Sequence, residues 1–384
     1  MSDARRWRGL ATRAIHAGYR PDPGTGAVNA PIYASSTFAQ DGVGGLRAGY
    51  EYSRTGNPTR TALETALAAM EEAGFGRAFA SGMAATDCVL RALLNPGDHL
   101  VIPDDAYGGT FRLIDRVLAP WGISYTAVPI SDLDEVRAAI TERTKLIWVE
   151  TPTNPLLSIG DIAAIAELAA PASVKVLVDN TFASPALQRP LTLGADIVLH
   201  SSTKYIGGHS DVVGGALLTN DDELDAGFGF LQNGAGAVPG PFDAYLTMRG
   251  LKTLVVRMRQ HSENAARVAE FLVDHPAVAT VLYPGLSSHD GHDVAARQMS
   301  DFGGMVSLRL RGGRQAALDL CSRTEVFILA ESLGGVESLI EHPGAMTHAS
   351  TAGSLLEVPD DLVRLSVGIE DIDDLIGDLE QALR

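Results

Sequence analysis

The sequence predicts an α/β protein: a large domain built on a mainly parallel sheet, followed by a smaller C-terminal α+β domain. Three observations carry that prediction. Short apolar runs ("HLVIPDD", "KLIWVET", "VKVLVDNTF", "ADIVLHSSTK") alternate with helix-like stretches such as "DIAAIAELAA", and strands that are apolar on both faces belong to parallel sheets covered by helices on each side. After about residue 250 the runs "MVSLRLR" and "LVRLSVGIE" change to a period of two, the mark of half-buried strands. With 384 residues and 46% hydrophobic content, the chain is longer than one domain of ordinary size accommodates.

The elements follow in order. Residues 1–60 are rich in Gly, Pro, Ser and Thr and lack helical periodicity, yet they hold Tyr33, Phe38, Tyr50 and Tyr52. An arm that packs on another surface is expected rather than a disordered tail. The α/β domain, 61–255, opens on "TALETALAAMEEA", where Thr61 and Glu64 have the spacing of a capping box and Leu63, Leu67 and Met70 share one face. The C-terminal domain, 256–384, begins with a helix around "NAARVAEFLV" that puts Ala265, Val268, Ala269 and Leu272 on one stripe. A last helix runs from Ile372 through Leu375, Ile376, Leu379 and Leu383.

Charge and cysteine content exclude several function classes. A net charge of −17 repels a nucleic-acid backbone or an anionic membrane over most of the surface, so neither partner is expected and cations should act singly. The two cysteines, Cys88 and Cys321, form no CxxC pair and no His/Cys cluster at metal spacing, which predicts no metal site and two reduced structural thiols. The N-terminal stretch has no apolar run of signal type, and no segment approaches a membrane span, so a cytoplasmic protein is expected.

Open parallel sheets bind ligands beyond the carboxyl ends of their strands, and three such ends are unusual here. "RAFASGMAAT" ends an apolar run in Ser81, Gly82 and Met83 before a helix, where free backbone N–H groups and the helix dipole suit an anion. "VLVDNTF" ends in Asp179, after a strand too apolar to leave a carboxylate unpaired. "HSSTKYIGG" brings the hydroxyls of Ser201, Ser202 and Thr203 next to Lys204, with glycines behind it. Taken alone, Lys204 could be a phosphate-binding cation, a solvated loop residue or a desolvated amine nucleophile, and the solvated reading is the one expected of an isolated lysine. Taken together, an anion cradle, a buried carboxylate and a masked amine on one rim are the set that pyridoxal phosphate requires.

With those residues in place, the chain resembles the Cys/Met-metabolism branch of pyridoxal-phosphate enzymes, the cystathionine γ-synthase and lyase group. The likeness runs in one order through "AIHAGY", "PIYASSTF", "YEYSRTGNPTR", "SGMAA", "DDAYGGTFRL", "ETPTNP", "DNTFASP", "HSSTKYIGGHSDVVGG", "FILAESLGGVESLIEHP" and "VRLSVGIED". It implies a fold-type I, aminotransferase-like architecture and a homotetramer made of two intimate dimers. It also implies that Lys204 bonds to the cofactor's aldehyde, that Asp179 holds the pyridinium nitrogen and that Tyr107 stacks on the ring and assists proton transfer. Gly82, Met83, Ser201 and Thr203 would hold the phosphate within the subunit, and Tyr52 and Arg54 would reach the phosphate of the neighbouring subunit. For the substrate, Arg364 would grip the α-carboxylate with help from the backbone near Ser332, Asn154 would lie near the cofactor's ring oxygen, and Glu331 would meet the distal end. Period two independently sets Arg364 and Ser366 opposite the apolar Val363, Leu365 and Val367. His200 and His209 are expected to be structural.

Within the family, Gly109 stands where methionine γ-lyases usually show a cysteine, and Glu331 stands where β-lyases tend to have an aromatic residue. The chain is also shorter than homoserine sulfhydrylases. The resemblance therefore implies γ-replacement of an O-succinyl- or O-acetylhomoserine by cysteine, as in methionine biosynthesis, with γ-cleavage of cystathionine as the alternative. A non-enzymatic cofactor-binding scaffold would leave Lys204, Tyr107 and Arg364 without a task.

Overall fold

The computed structural model describes residues 7–348, 353 and 356–384. The first six residues of the expected arm and positions 349–352, 354 and 355 of the expected C-terminal domain lie outside the described residues. The large sheet has seven strands: β1 (Phe75–Phe79), β2 (His99–Pro103), β3 (Ser124–Val128), β4 (Thr144–Glu150), β5 (Lys175–Asp179), β6 (Ile197–His200) and β7 (Gly215–Thr219). Their order is β1-β7-β6-β5-β4-β2-β3. Strands β6, β5, β4, β2 and β3 run parallel, and β7 is antiparallel to both of its neighbours. Successive residues of each strand bury on opposite sides, which is why the runs are apolar throughout. Leu146 and Trp148 of β4 join a core with Ala85, Val89 and Leu90 of the helix Gly82–Leu93. Ile147 and Val149 join the opposite core, with Ile162 and Ile165 of the helix Ile162–Ala169.

The second sheet consists of β8 (Val278–Leu282), β9 (Met305–Leu310), β10 (Ile328–Leu329), β11 (Leu339–Glu341) and β12 (Leu362–Ser366), ordered β10-β11-β12-β9-β8. Val306, Leu308, Ile340, Val363 and Leu365 fill its core together with Val268 and Leu272 of the long helix Leu254–Val273 and Leu375 and Leu379 of the last helix, Ile372–Ala382. Its alternate residues include the buried polar Ser307, Glu341, Arg364 and Ser366, and Ser307 Oγ donates to the Pro155 carbonyl of the large domain at 2.7 Å. The polar face of the small sheet is thus turned toward the large domain. One helix serves both cores, because Leu254 and Met258 at its start pack under the large sheet while Ala265 and Leu272 pack under the small one.

One local expectation fails. The helix that should open with a Thr61–Glu64 capping box begins earlier, at Pro58, with Asn57 as its cap accepting from the N–H groups of Thr59 and Arg60. Proline at the first helical position stabilises that start, and it leaves Glu64 inside the helix, where it accepts from the Ala78 N–H at 3.0 Å. Residues 20–56 run over the surface, with Val28, Val43, Leu46 and Tyr52 exposed. Among the described residues no helix is long and apolar enough to cross a membrane.

Candidate active site

After β2 the chain runs outward to β3 at the sheet's edge and returns on the other side of β2 as β4. This reversal leaves a crevice at the carboxyl ends, where β4, β5 and β6 finish in Glu150, Asp179 and His200. A cavity of about 280 Å³ lies there, reaching the polar face of the small sheet. Gly82, Met83, Tyr107, Asn154, Asp179, Ser201, Thr203, Lys204, Glu331, Ser332 and Arg364 line it, and Tyr52 and Arg54 do not.

Lys204 stands in the loop between β6 and β7. That loop folds back on itself through bonds from the Gly207 N–H to the Ser202 carbonyl and from the Gly208 N–H to the Lys204 carbonyl, both 2.8 Å. Gly208 has a φ of +70°, and a Cβ there would lie 2.1 Å from Nη1 of Arg257, whose guanidinium donates to the carbonyl of Tyr205 at 2.7 Å. Only glycine meets both demands. The Lys204 amine donates to Ser332 Oγ at 2.7 Å. Burial, followed by repulsion from Arg364, lowers its pKa to about 8, so its neutral form is far more populated near neutral pH than that of an ordinary lysine.

The expected anion cradle falls at the start of the helix Gly82–Leu93. Ser81 caps it by accepting from the Ala84 N–H at 3.0 Å, and the N–H groups of Gly82 and Met83 have no bonding partner among the described residues. Gly82 is needed because a Cβ would approach the Cβ of Ser201 to 2.9 Å. Ser201 is held by its N–H on Thr181 Oγ1 at 2.9 Å, and Thr203 by paired bonds with the backbone of Gly214. Lys204 and Arg364 are the cations that line the cavity among the described residues.

Asp179 accepts two bonds on one oxygen, from the Thr181 N–H at 3.1 Å and its hydroxyl at 2.6 Å. Its other oxygen has no donor among the described residues. In the β4–β5 register Asp179 faces Glu150, and burial raises the pKa of both carboxyls, that of Glu150 further through Asp179 itself. The pair calls for a cation over the free Asp179 oxygen. Glu150 also organises its surroundings, accepting from the Tyr107 N–H at 3.0 Å and from the Asn154 N–H at 2.9 Å. Sequence reasoning missed Glu150, although the signal was the one used for Asp179: a carboxylate ending an apolar strand.

At the other wall Arg364 is 2% exposed. One of its terminal nitrogens donates to Asn154 Oδ1 at 2.8 Å and pairs with Glu341 at 3.0 Å, and the other donates to the Ser332 carbonyl at 2.7 Å. Its Nε is buried without a partner among the described residues. Ser332 takes a φ of 91°, a strained conformation for a residue with a side chain. That conformation accompanies a hydroxyl bonded to Lys204 and a carbonyl bonded to Arg364. Glu331 is exposed at the rim. His200 lies behind the sheet with Nε2 2.6 Å from Glu71, and His209 turns to the Gly207 carbonyl; neither lines the cavity. His348, also missed, stands edge-on to Tyr107 with ring centroids 6.4 Å apart, and burial lowers its pKa to about 4.

Residues 11–384 match the model of the family described as Cys/Met metabolism PLP-dependent enzyme. The chain belongs to that family. It is 80% identical over 375 residues to a cystathionine γ-synthase of Mycobacterium tuberculosis, covering 98% of this chain and 97% of that protein. The crystal structure of metB from Corynebacterium glutamicum superposes with a TM-score of 0.98 at 62% identity, covering 98% of each chain. That of cystathionine gamma synthase from Xanthomonas oryzae pv. oryzae, in complex with aminoacrylate and cysteine, gives 0.95 at 46%, over 98% of this chain and 97% of that one. The protein is therefore a pyridoxal-phosphate-dependent enzyme with the α/β architecture of this family. The residues of this cavity fit the cofactor: two unpartnered N–H groups at a helix start suit its phosphate, the free oxygen of a buried carboxylate suits its ring nitrogen, and a desolvated amine suits its aldehyde.

Proposed function

We propose that the protein is a cystathionine γ-synthase, which replaces the acyl group of an O-acyl-L-homoserine, succinyl or acetyl, by the sulfur of L-cysteine to give L-cystathionine in methionine biosynthesis. The observation that carries this reading is the 80% identity over 98% of the chain to a relative of that name. Bound in the cavity, pyridoxal phosphate supplies an aldehyde that takes up amines and a ring that accepts the electron pair of a bond broken at the α-carbon. Lys204, freed when the substrate amine binds, would take protons from the α- and then the β-carbon as the acyl group leaves as a carboxylate, and would return one proton to each of those carbons after the thiol has added. Asp179 keeps the ring nitrogen protonated, and the N–H groups of Gly82 and Met83 with the hydroxyls of Ser201 and Thr203 hold the phosphate. Tyr107 would cover the ring and help deprotonate the incoming amine, which needs its phenolate form; burial disfavours that form, and the charges of Arg112 and Arg364 favour it. Arg364 takes the α-carboxylate beside Asn154 and Ser332.

Glu331 meets the ammonium of cysteine or cystathionine, for which an exposed carboxylate is a partner and an aromatic ring is not. With O-succinylhomoserine and cysteine the wild type is expected to form mainly cystathionine, and Glu331→Ala to shift products toward 2-oxobutanoate and ammonia without changing the absorbance of the bound cofactor. Product analysis with each acyl donor and with cystathionine, in the presence and absence of cysteine, checks both. Cleavage of cystathionine far faster than its formation would replace the synthase reading with the γ-lyase one.

The enzyme is proposed to act in the cytoplasm as a homotetramer of two dimers, with an arm (1–60), a cofactor domain (61–255) and a C-terminal domain (256–384). Tyr52 and Arg54 then serve the phosphate of the neighbouring subunit. Three facts support this: Tyr52 is 47% exposed, the Arg54 guanidinium stacks 5.7 Å over that same ring, and neither residue lines its own subunit's cavity. Subunits carrying Lys204→Ala and subunits carrying Arg54→Ala should each be nearly inactive. Mixed dimers are expected to regain part of the activity, because one of their two sites contains neither change. No recovery in verified heterodimers would remove Arg54 from the neighbour's site.

A further inference from the structure

Glu341 has no part in the chemistry described above, yet it is among the most buried carboxylates of the molecule, 1% exposed. Strands β11 and β12 place it directly across from Arg364. Its Oε1 accepts from Arg364 at 3.0 Å and from the Thr347 hydroxyl at 2.8 Å. Among the described residues its Oε2 and the Nε of Arg364 are both buried without a partner. One edge of the guanidinium is therefore occupied by Asn154 and Glu341, and the edge that carries Nε keeps an unused donor. A substrate carboxylate arriving at Arg364 would leave one buried guanidinium between two carboxylates. Glu341, pinned through Oε1 and closed off from water, cannot swing away.

We propose that Glu341 is a positioning residue for Arg364 that takes up one proton from solvent, on Oε2, when a substrate carboxylate binds, so that carboxylate affinity falls as pH rises. The proposal rests on the reading of Arg364 as the carboxylate's partner. The charge balance is simple: a guanidinium–carboxylate pair becomes a guanidinium, a neutral carboxylic acid and the bound carboxylate. Burial already raises the Glu341 pKa, Arg364 and the Thr347 hydroxyl oppose that shift, and Glu331 adds to it. The titratable and charged groups facing the pair, among the described residues, are Arg364, Glu331, Lys204, His348, Tyr107, Tyr205 and Cys321. Cys321 is pushed up to about 12 and His348 down to about 4, which removes both from titration at neutral pH.

The test measures butanoate binding to the holoenzyme by calorimetry from pH 6 to 9. Butanoate lacks an amino group, so no amine proton enters the balance. The wild-type Kd should rise by about tenfold per pH unit across the window in which one proton is taken up, with matching proton uptake when buffers of different ionisation enthalpy are compared. Glu341→Gln, neutral at every pH, should bind with a Kd that does not change over that window. Thr347→Val loses a donor that favours the ionised form, and its loss of affinity should begin at higher pH. A flat wild-type profile, or a wild-type slope retained in Glu341→Gln, overturns the proposal. Unimpaired butanoate binding by Arg364→Ala would instead overturn the reading of Arg364.

Discussion

In Lys204→Ala, formation of cystathionine from O-succinylhomoserine and cysteine is expected to fall by at least about a thousandfold, the upper range for loss of a positioned proton carrier. Borohydride reduction of the wild-type holoenzyme should fix the cofactor to the peptide that contains Lys204, and the variant should give no such adduct. Labelling of another lysine would overturn the assignment. The amine's environment adds a pH signature. Because burial lowers its pKa to about 8, the rate at which cofactor-free protein takes up pyridoxal phosphate should climb with pH and level off above about 8, whereas an ordinary lysine would keep climbing toward 10.5. Between about 8 and the ordinary lysine value of 10.5 the unfolded chain holds more protons at this site than the folded one. The site's contribution to the stability of the cofactor-free protein therefore rises with pH across that window, and the burial penalty is fully present below it.

Arg364→Ala is expected to raise KM for O-succinylhomoserine by roughly a hundredfold, the loss of a charge-assisted hydrogen-bonded pair. It should also destabilise the fold by about 3–5 kcal/mol, because removal of one member of a buried ion pair leaves the other uncompensated. Here the other member is Glu341, 1% exposed. The two effects separate in the double variant Arg364→Ala/Glu341→Ala, which should recover most of the stability and none of the KM. Chemical denaturation and steady-state kinetics on the three proteins check this. An unchanged KM in the single variant would take Arg364 out of substrate binding, and a double variant as unstable as the single one would deny the ion pair its structural role.

The residues located from pattern alone, without the family resemblance, share one property: their position depends on structure within a few residues. Lys204 and Asp179 follow apolar strands directly, Gly82 and Met83 open a helix, and the period-two run 363–367 sends Arg364 to the face opposite Val363 and Leu365. Strand, turn and helix start are local events, so the pattern is enough. The capping-box expectation failed at the same scale, since Asn57 and Pro58 offered a better cap and first helical residue, with the cap four positions earlier than Thr61.

By itself, then, the sequence determined the α/β class, the near-continuous burial of the parallel strands, and which strand ends carry an amine, a carboxylate and an anion cradle. The tertiary structure alone decided the partners. Asn154 and Arg364 meet across 210 positions, and Lys204 and Ser332 across 128. Glu341 becomes the counter-ion of Arg364 only because β11 lies beside β12 in one register. Glu150 becomes the support of both Tyr107 and Asn154 only because β4 ends beside β5. Periodicity tells which face a side chain takes and is silent on which distant strand will lie next to it. Burial of a charge is tolerated only with a partner, and strand order, a property of the whole chain, selects that partner.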